Sequence, residues 1–170
     1  MSKANSGPRI ELARLADIDR KDIIALMNDG AVREHLPLLM SRFDATMCAG
    51  FVAAKERMWE THGYRPWALV RGGEFVGWGG LQPEGEDADV GLILKPSAWG
   101  AGKRLLTRFL DFGFESIELP SVIALLPPTR RSGRALVHLG FAPDGELEIG
   151  DERFLRYRLL RSTWRDFDTA

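Results

Sequence analysis

Apolar residues recur at two periods along this chain, and the switches between them mark its elements. Residues 9–15, RIELARL, alternate through Ile10 and Leu12 with Leu15 one slip later, which predicts a short first strand. Ile23, Leu26 and Met27 then share a helical face; Asp17 is the expected N-cap, and Asn28, Asp29 and Gly30 are suited to a left-handed C-cap. A longer helix is expected from Asp44 to His62 and Gly63, on a stripe of Met47, Cys48, Phe51, Val52, Met58 and Trp59. Such a stripe reads as core rather than as a ligand box.

Three strand-like runs follow, at 67–70, 75–81 and 88–94, with Arg71-Gly-Gly-Glu74 as a hairpin turn between the first two. The turn over 82–87 is acidic and reads either as a solvated loop or as a surface that attracts a cationic substrate. Residues 92–104, LILKPSAWGAGKR, then predict a buried strand, a glycine turn and the start of a helix that carries Leu105, Leu106, Phe109, Leu110 and Gly113 on one stripe. The continuous apolar run 121–126 predicts a strand covered on both faces, ended by Pro127 and Pro128. Thr129 or Ser132 can cap a short helix with Ala135, Leu136 and Leu139 inward, closed by Gly140 and Phe141. A last antiparallel strand, 154–160, places Leu155, Tyr157 and Leu159 opposite Arg156 and Arg158.

Composition narrows the class. With 170 residues, 45% apolar and 28% charged, the chain suits one domain, here 9–165, after a disordered tail at 1–8. A net charge of −1 gives no global basic field, so neither nucleic acid nor a membrane surface is an expected partner. The single cysteine, Cys48, cannot form an intrachain disulfide and has no CxxC or HxxxH neighbourhood, which suits a reducing, cytoplasmic setting and argues against a zinc site. No apolar stretch approaches membrane-spanning length.

The glycine turn carries the candidate chemistry. Gly100 and Gly102 allow a sharp bend whose N–H groups approach an anion, at the positive end of the following helix dipole and beside Lys103 and Arg104. A nucleotide P-loop would need Gly at Ser97 and Ser or Thr at Arg104, and the latter hydroxyl is the magnesium ligand. A dinucleotide fingerprint would need a small residue at Leu105 and an earlier position in a βαβ unit. A serine-hydrolase elbow is absent, since Ser97 and Ser132 lack flanking glycines.

Residues 89–102, DVGLILKPSAWGAG, resemble the EIGYxLxPxxWGxG signature of the GNAT N-acetyltransferase superfamily, in its branch of ribosomal-protein N-terminal (alanine or serine) acetyltransferases. Residues 132–141, SGRALVHLGF, resemble that branch's SxxVLxKLGF segment, and 145–164 its EGxLxxxG…YxLLRxxW end. The resemblance implies an α/β (α+β) fold: a mixed, mostly antiparallel sheet splayed into a V and flanked by helices. It also implies acetyl-coenzyme A as donor, with no metal. The pantetheine arm would pair along Leu92, Ile93 and Leu94, and the pyrophosphate would rest on Trp99, Gly100, Ala101, Gly102, Lys103 and Arg104. Lys103 and Arg104 read equally well as solvated first-turn residues.

The implied reaction is direct attack of a neutral amine on the thioester, which needs a base for the amine and a proton for the thiolate. Asp89 stands at the signature's Glu position and is the candidate base, against a reading as an ordinary strand-end charge. The tyrosine acid of many members is Leu136 here, so Ser132 is the candidate acid, against a reading as a helix cap. Thr129 replaces a coenzyme-binding Asn and keeps only an oxygen. His138 reads as a surface residue. The implied acceptor is a primary amine, with a protein N-terminus first. A polyamine or aminoglycoside is the rival on the strength of Glu84, Glu86, Asp87 and Asp89, and a non-catalytic coenzyme-binding regulator is the rival of another class. A homodimer is compatible with this reading.

Overall fold

The computed structural model describes residues 8–128, 130 and 133–168. Seven strands form one sheet in the order β1-β2-β3-β4-β5-β7-β6: β1 (Ile10–Ala13), β2 (Pro66–Arg71), β3 (Glu74–Glu84), β4 (Asp87–Leu94), β5 (Ser121–Leu126), β6 (Ala142–Ile149) and β7 (Glu152–Leu160). Every neighbouring pair is antiparallel except β4 and β5, which are parallel and register at a single pair, Asp89 with Ile123. The sheet therefore opens at that seam, as the resemblance implied.

Alternation along the strands sends side chains into two cores. Leu69, Val76, Ala88 and Val90 pack with α4 (Gly102–Asp111), β5 and β7, while Ala68 and Phe75 pack with α1 (Arg20–Asn28) and α3 (Ala45–His62). A register shift at Leu69 and Val70 breaks the period-2 count in β3, so that Trp78 joins Phe75 in the α3 core despite odd spacing. Asp89, between Ala88 and Val90, alternates away from the α4 core.

Close approach of β3 to β4 depends on glycine. A Cβ on Gly77 would lie 2.2 Å from the Ile93 carbonyl oxygen, and one on Gly79 would lie 2.7 Å from that of Gly91. The Arg71-to-Glu74 hairpin turns through Gly72 and Gly73 at φ of 59° and 79°, the mirror-turn geometry expected from its sequence.

The first helix starts differently from expectation. Asp17 lies in a 3-10 turn, Leu15–Asp17, and the cap is Asp19, whose carboxylate accepts from the Lys21 N–H at 2.9 Å. No left-handed residue closes α1: Asp29 is extended at φ −60°, and its side chain caps a further short helix, α2 (Gly30–Arg33). Asn28 has another task, since its amide exchanges hydrogen bonds of 2.8 and 2.9 Å with the Phe43 backbone. Arg33 donates to the Leu39 and Ser41 carbonyls, so both residues staple the loop that follows α2.

Helix α3 begins at Asp44, which accepts from the Met47 N–H at 2.8 Å, and ends at left-handed Gly63. Its expected stripe is only partly core. Cys48 and Val52 are buried, whereas Met47 and Trp59 are exposed; Trp59 instead flanks the Arg65 guanidinium together with Trp67. In α4, Leu105, Phe109 and Leu110 are buried as expected, each contributing about 1.5–3 kcal/mol. The helix runs into one wide turn, Phe112–Ser116, where a Cβ on Gly113 would meet Leu81 at 2.8 Å.

The short helix α5 (Gly133–His138) buries Leu136 but leaves Ala135 exposed, against the inward position expected for it. A terminal helix not foreseen, α6 (Arg161–Asp168), docks through Trp164, whose indole donates to Asp111 at 3.0 Å. The acidic turn is also shorter than expected. Strands β3 and β4 pair up to Glu84 and Asp87, so Gln82 and Asp89 face each other inside the sheet and only Gly85 and Glu86 turn.

Candidate active site

Because β4 leaves β5 after Asp89, its edge from Val90 to Leu94 has no strand partner on the β5 side, although it pairs with β3 on the other. Backbone groups there face a cleft of about 890 Å³ whose walls include Leu92, Ile93, Trp99, Gly102, Lys103 and Asp89. An extended ligand can add to such an edge as a strand does. The Leu94 carbonyl is already engaged, because the Trp99 indole donates to it at 3.0 Å.

The glycine turn is built without positive φ. Pro96–Ala101 form a 3-10 turn that leads directly into α4, and Gly102 is helical at φ −55°. The bend expected at the two glycines is thus a 3-10 turn that needs no left-handed residue. What they supply is space: nothing lies within 4 Å of a Cβ built on Gly100, and one on Gly102 would meet only Leu92, at 3.8 Å. Ala101 caps α4 without a side-chain hydrogen bond, and although the Gly102 N–H is taken by the Trp99 carbonyl, the positive end of the helix faces the cleft beside Gly102 and Lys103. Lys103 and Arg104 are exposed there. Open space, the positive end of α4 and an unpaired strand edge along one cleft fit a pantetheine-linked pyrophosphate.

Asp89 sits at the vertex of the opening and is 7% exposed. Burial, helped by the Glu84 charge, pushes its carboxyl up to about 7 against a hydrogen bond from Gln82, the Lys55 charge and the weaker pull of the nearby Leu125 N–H, which falls short of hydrogen-bond geometry. Gln82 Nε2 donates to Oδ2 at 3.1 Å, while Oδ1 is buried without a hydrogen-bond partner. The indole N–H of Trp78, which also lines the cleft, is likewise buried without an acceptor.

Of the four acids grouped in the sequence, two stay near the reaction zone. Glu84 and Asp89 line the cleft, but Asp87 is held by Arg158 at 2.7 and 3.2 Å, which keeps its carboxyl below the usual range, and Glu86 is exposed on the turn. Leu136 lines the cleft as an apolar residue, so no tyrosine acid stands there. His138 is exposed at the cleft rim. Thr129 and Ser132 lie outside the described residues. Among those described, no group of His, Cys, Asp and Glu is arranged to hold a metal, and no helix is long and apolar enough to cross a membrane. Cys48 is buried against the Arg20 carbonyl in the α1–α3 core, with its thiol raised by burial, and takes no part in the cleft.

Two contributors were not singled out from sequence. Lys55 and Gln82 both reach Asp89's surroundings, one from the α3 stripe and one from the supposed loop. A lysine four residues after Phe51 on an otherwise apolar face is the signal that marks the first.

Residues 9–142 match the model of the acetyltransferase (GNAT) domain family, and the chain belongs to that family. It is similar in structure to an acetyltransferase from Agrobacterium tumefaciens, at TM-score 0.73 and 19% identity over 94% of this chain and 96% of that one. It is also similar to Mycobacterium smegmatis RimJ in complex with CoA-disulfide, at TM-score 0.68 and 23% identity over 89% and 80%. A spermidine N-acetyltransferase SpeG chimera from Vibrio cholerae and hSSAT gives TM-score 0.67 and 17% identity over 95% and 99%. The family membership agrees with the fold and with the reaction class that the sequence motifs implied.

Proposed function

We propose that this acetyltransferase moves an acetyl group from acetyl-coenzyme A to the α-amine of a peptide N-terminus, with Asp89 as the base. The observation that carries the reading is the buried, half-satisfied Asp89 carboxylate at the point where the sheet opens, with its proton affinity raised to about 7. The neutral amine nitrogen attacks the thioester carbon, a proton passes from nitrogen to Asp89, and the carbon–sulfur bond breaks to release coenzyme A as a thiolate, which takes a proton from solvent while Asp89 returns its own to solvent. Donor placement rests on the β4 edge at Leu92, Ile93 and Leu94 and on the start of α4.

Trp78 favours a peptide over a polyamine. Its buried N–H needs an acceptor oxygen, which the first carbonyl of a peptide supplies and a polyamine does not. The neighbouring wall of Leu36, Leu39, Phe43 and Phe51 is apolar, and suits an uncharged first side chain rather than a polycation. Glu84 on the cleft is the observation that favours the polyamine reading.

The test follows free thiol release from acetyl-coenzyme A with panels of peptides, polyamines and aminoglycosides. Release with peptides carrying a free N-terminus and none with N-formylated peptides is expected. Release with polyamines alone overturns the acceptor, and stabilisation by coenzyme with no release for any amine overturns turnover in favour of a regulator.

A further inference from the structure

Lys55 Nζ donates to Gln82 Oε1 at 2.6 Å, and Gln82 Nε2 donates to Asp89 Oδ2 at 3.1 Å. The three residues lie on α3, β3 and β4, so the line runs from helix to base across two adjacent strands. The ammonium is held between two rings, 5.4 Å from the Phe51 centroid and 5.2 Å from that of Trp78, which themselves meet edge-on at 5.0 Å. An ammonium only donates, so the amide must turn its oxygen to Lys55 and its NH₂ to Asp89. That polarity leaves Oδ2 an acceptor and makes Oδ1, which has no partner, the atom that takes up a proton.

We propose that Lys55 and Gln82 are positioning residues that fix the orientation of the Asp89 carboxyl and hold its Oδ1 free to accept the proton of the acceptor amine. This rests on Asp89 being the base. Other groups around Asp89 do not share this geometry. Glu84 of β3 opposes ionisation by its charge, and the Leu125 N–H of β5 favours it weakly. Across the cleft stand His35, Lys103, Arg130 and His138. Removing Lys55 frees the amide to flip. A flipped amide presents an oxygen to Oδ2, which only a protonated Asp89 satisfies, so the proton is held more tightly.

The experiment is a carboxyl ¹³C titration of Asp89 by NMR in the full chain, for the native protein and for Lys55→Met, Gln82→Leu and the double variant, with Asp89→Asn to assign the resonance. Methionine is unbranched like lysine, lacks its terminal ammonium, and suits the space between Phe51 and Trp78. Each single variant is expected to move the Asp89 midpoint upward, by on the order of one pH unit, and the double variant by less than the two shifts added. The acid limb of kcat/KM should move with it, so that the loss is larger at about pH 6 than at about pH 9. An unmoved midpoint in Lys55→Met overturns the proposal, and so does strict additivity in the double variant, which would make Lys55 a remote charge and not a partner acting through Gln82. If Lys55→Met does not fold, an unmoved midpoint in Gln82→Leu overturns it alone. Should Asp89→Asn keep full activity while the midpoints still shift, the base assignment fails and the positioning geometry stands.

Discussion

Asp89 and Ile123 form the pair at which β4 and β5 meet, so the residue that holds the sheet closed at its vertex is also the buried carboxylate at the head of the cleft. Burial at that vertex costs the charged form its solvation and raises Asp89 to about 7. Asp89→Asn is therefore expected to lower kcat/KM by about 10²- to 10⁴-fold while coenzyme A affinity, read by calorimetry, stays close to native. In the native enzyme kcat/KM should rise with pH through about 7 as Asp89 ionises.

The same residue should be a stability liability. An unfolded Asp titrates at 3.8, so between 3.8 and about 7 the folded protein binds the extra proton and its stability falls as pH rises. The penalty is complete above about 7 and absent below 3.8. Asp89→Asn should thus unfold several degrees higher than native protein at about pH 8, and the gap should close at about pH 4; equal Tm values at both would refute the burial penalty.

Gly102→Glu should leave the fold intact and abolish coenzyme A binding. Its backbone is already helical, an acidic side chain suits the first turn, and a Cβ there meets only Leu92 at 3.8 Å. The carboxylate would occupy the space an incoming pyrophosphate needs. Native-like affinity in calorimetry contradicts the placement of that anion.

Gly77→Ala should cost about 1–3 kcal/mol in denaturant unfolding, because its Cβ would lie 2.2 Å from the Ile93 carbonyl oxygen. Gly30→Ala, with nothing within 4 Å and a helical position, is the matched control and should be neutral or stabilising. A cost at Gly77 as small as that at Gly30 would show that β3 and β4 can separate freely.

Arg158 ties β7 to β4 and β6 through Asp87 at 2.7 Å and Asp144 at 2.8 Å, and holds the Asp87 carboxyl below its ordinary range. A depressed carboxylate contributes stability above its unfolded value of 3.8 and loses it as pH falls further. Arg158→Leu should lose about 1–3 kcal/mol near neutral pH, and much less of it below about pH 3. A deficit independent of pH would assign the loss to packing.

Short-range signals were legible and pairings across the sheet were not. The 89–102 string gave the strand, the turn and the following helix in the observed order, because the three are contiguous. The glycines were read as a bend that admits an anion; the chain turns there and the space is present, but the 3-10 form of the turn was not legible. Lys55 and Gln82 escaped notice because their contact spans 27 positions, and because β3 runs three residues further than its apolar run suggested. Asn28 does end α1, as its sequence suggested, but the commitment of its amide to Phe43, again a partner 15 residues away, was not legible.

The burial of Cys48 decides what the protein can do to its own product. As the chain's single thiol it is sealed in the α1–α3 core with its proton held more firmly than usual. It therefore cannot capture the acetyl group, exchange with an oxidised coenzyme, or compete for a thiol-reactive dye. Each equivalent of reactive sulfur that emerges during turnover belongs to the donor, and the acetyl group has no cysteine on which to pause between thioester and amine.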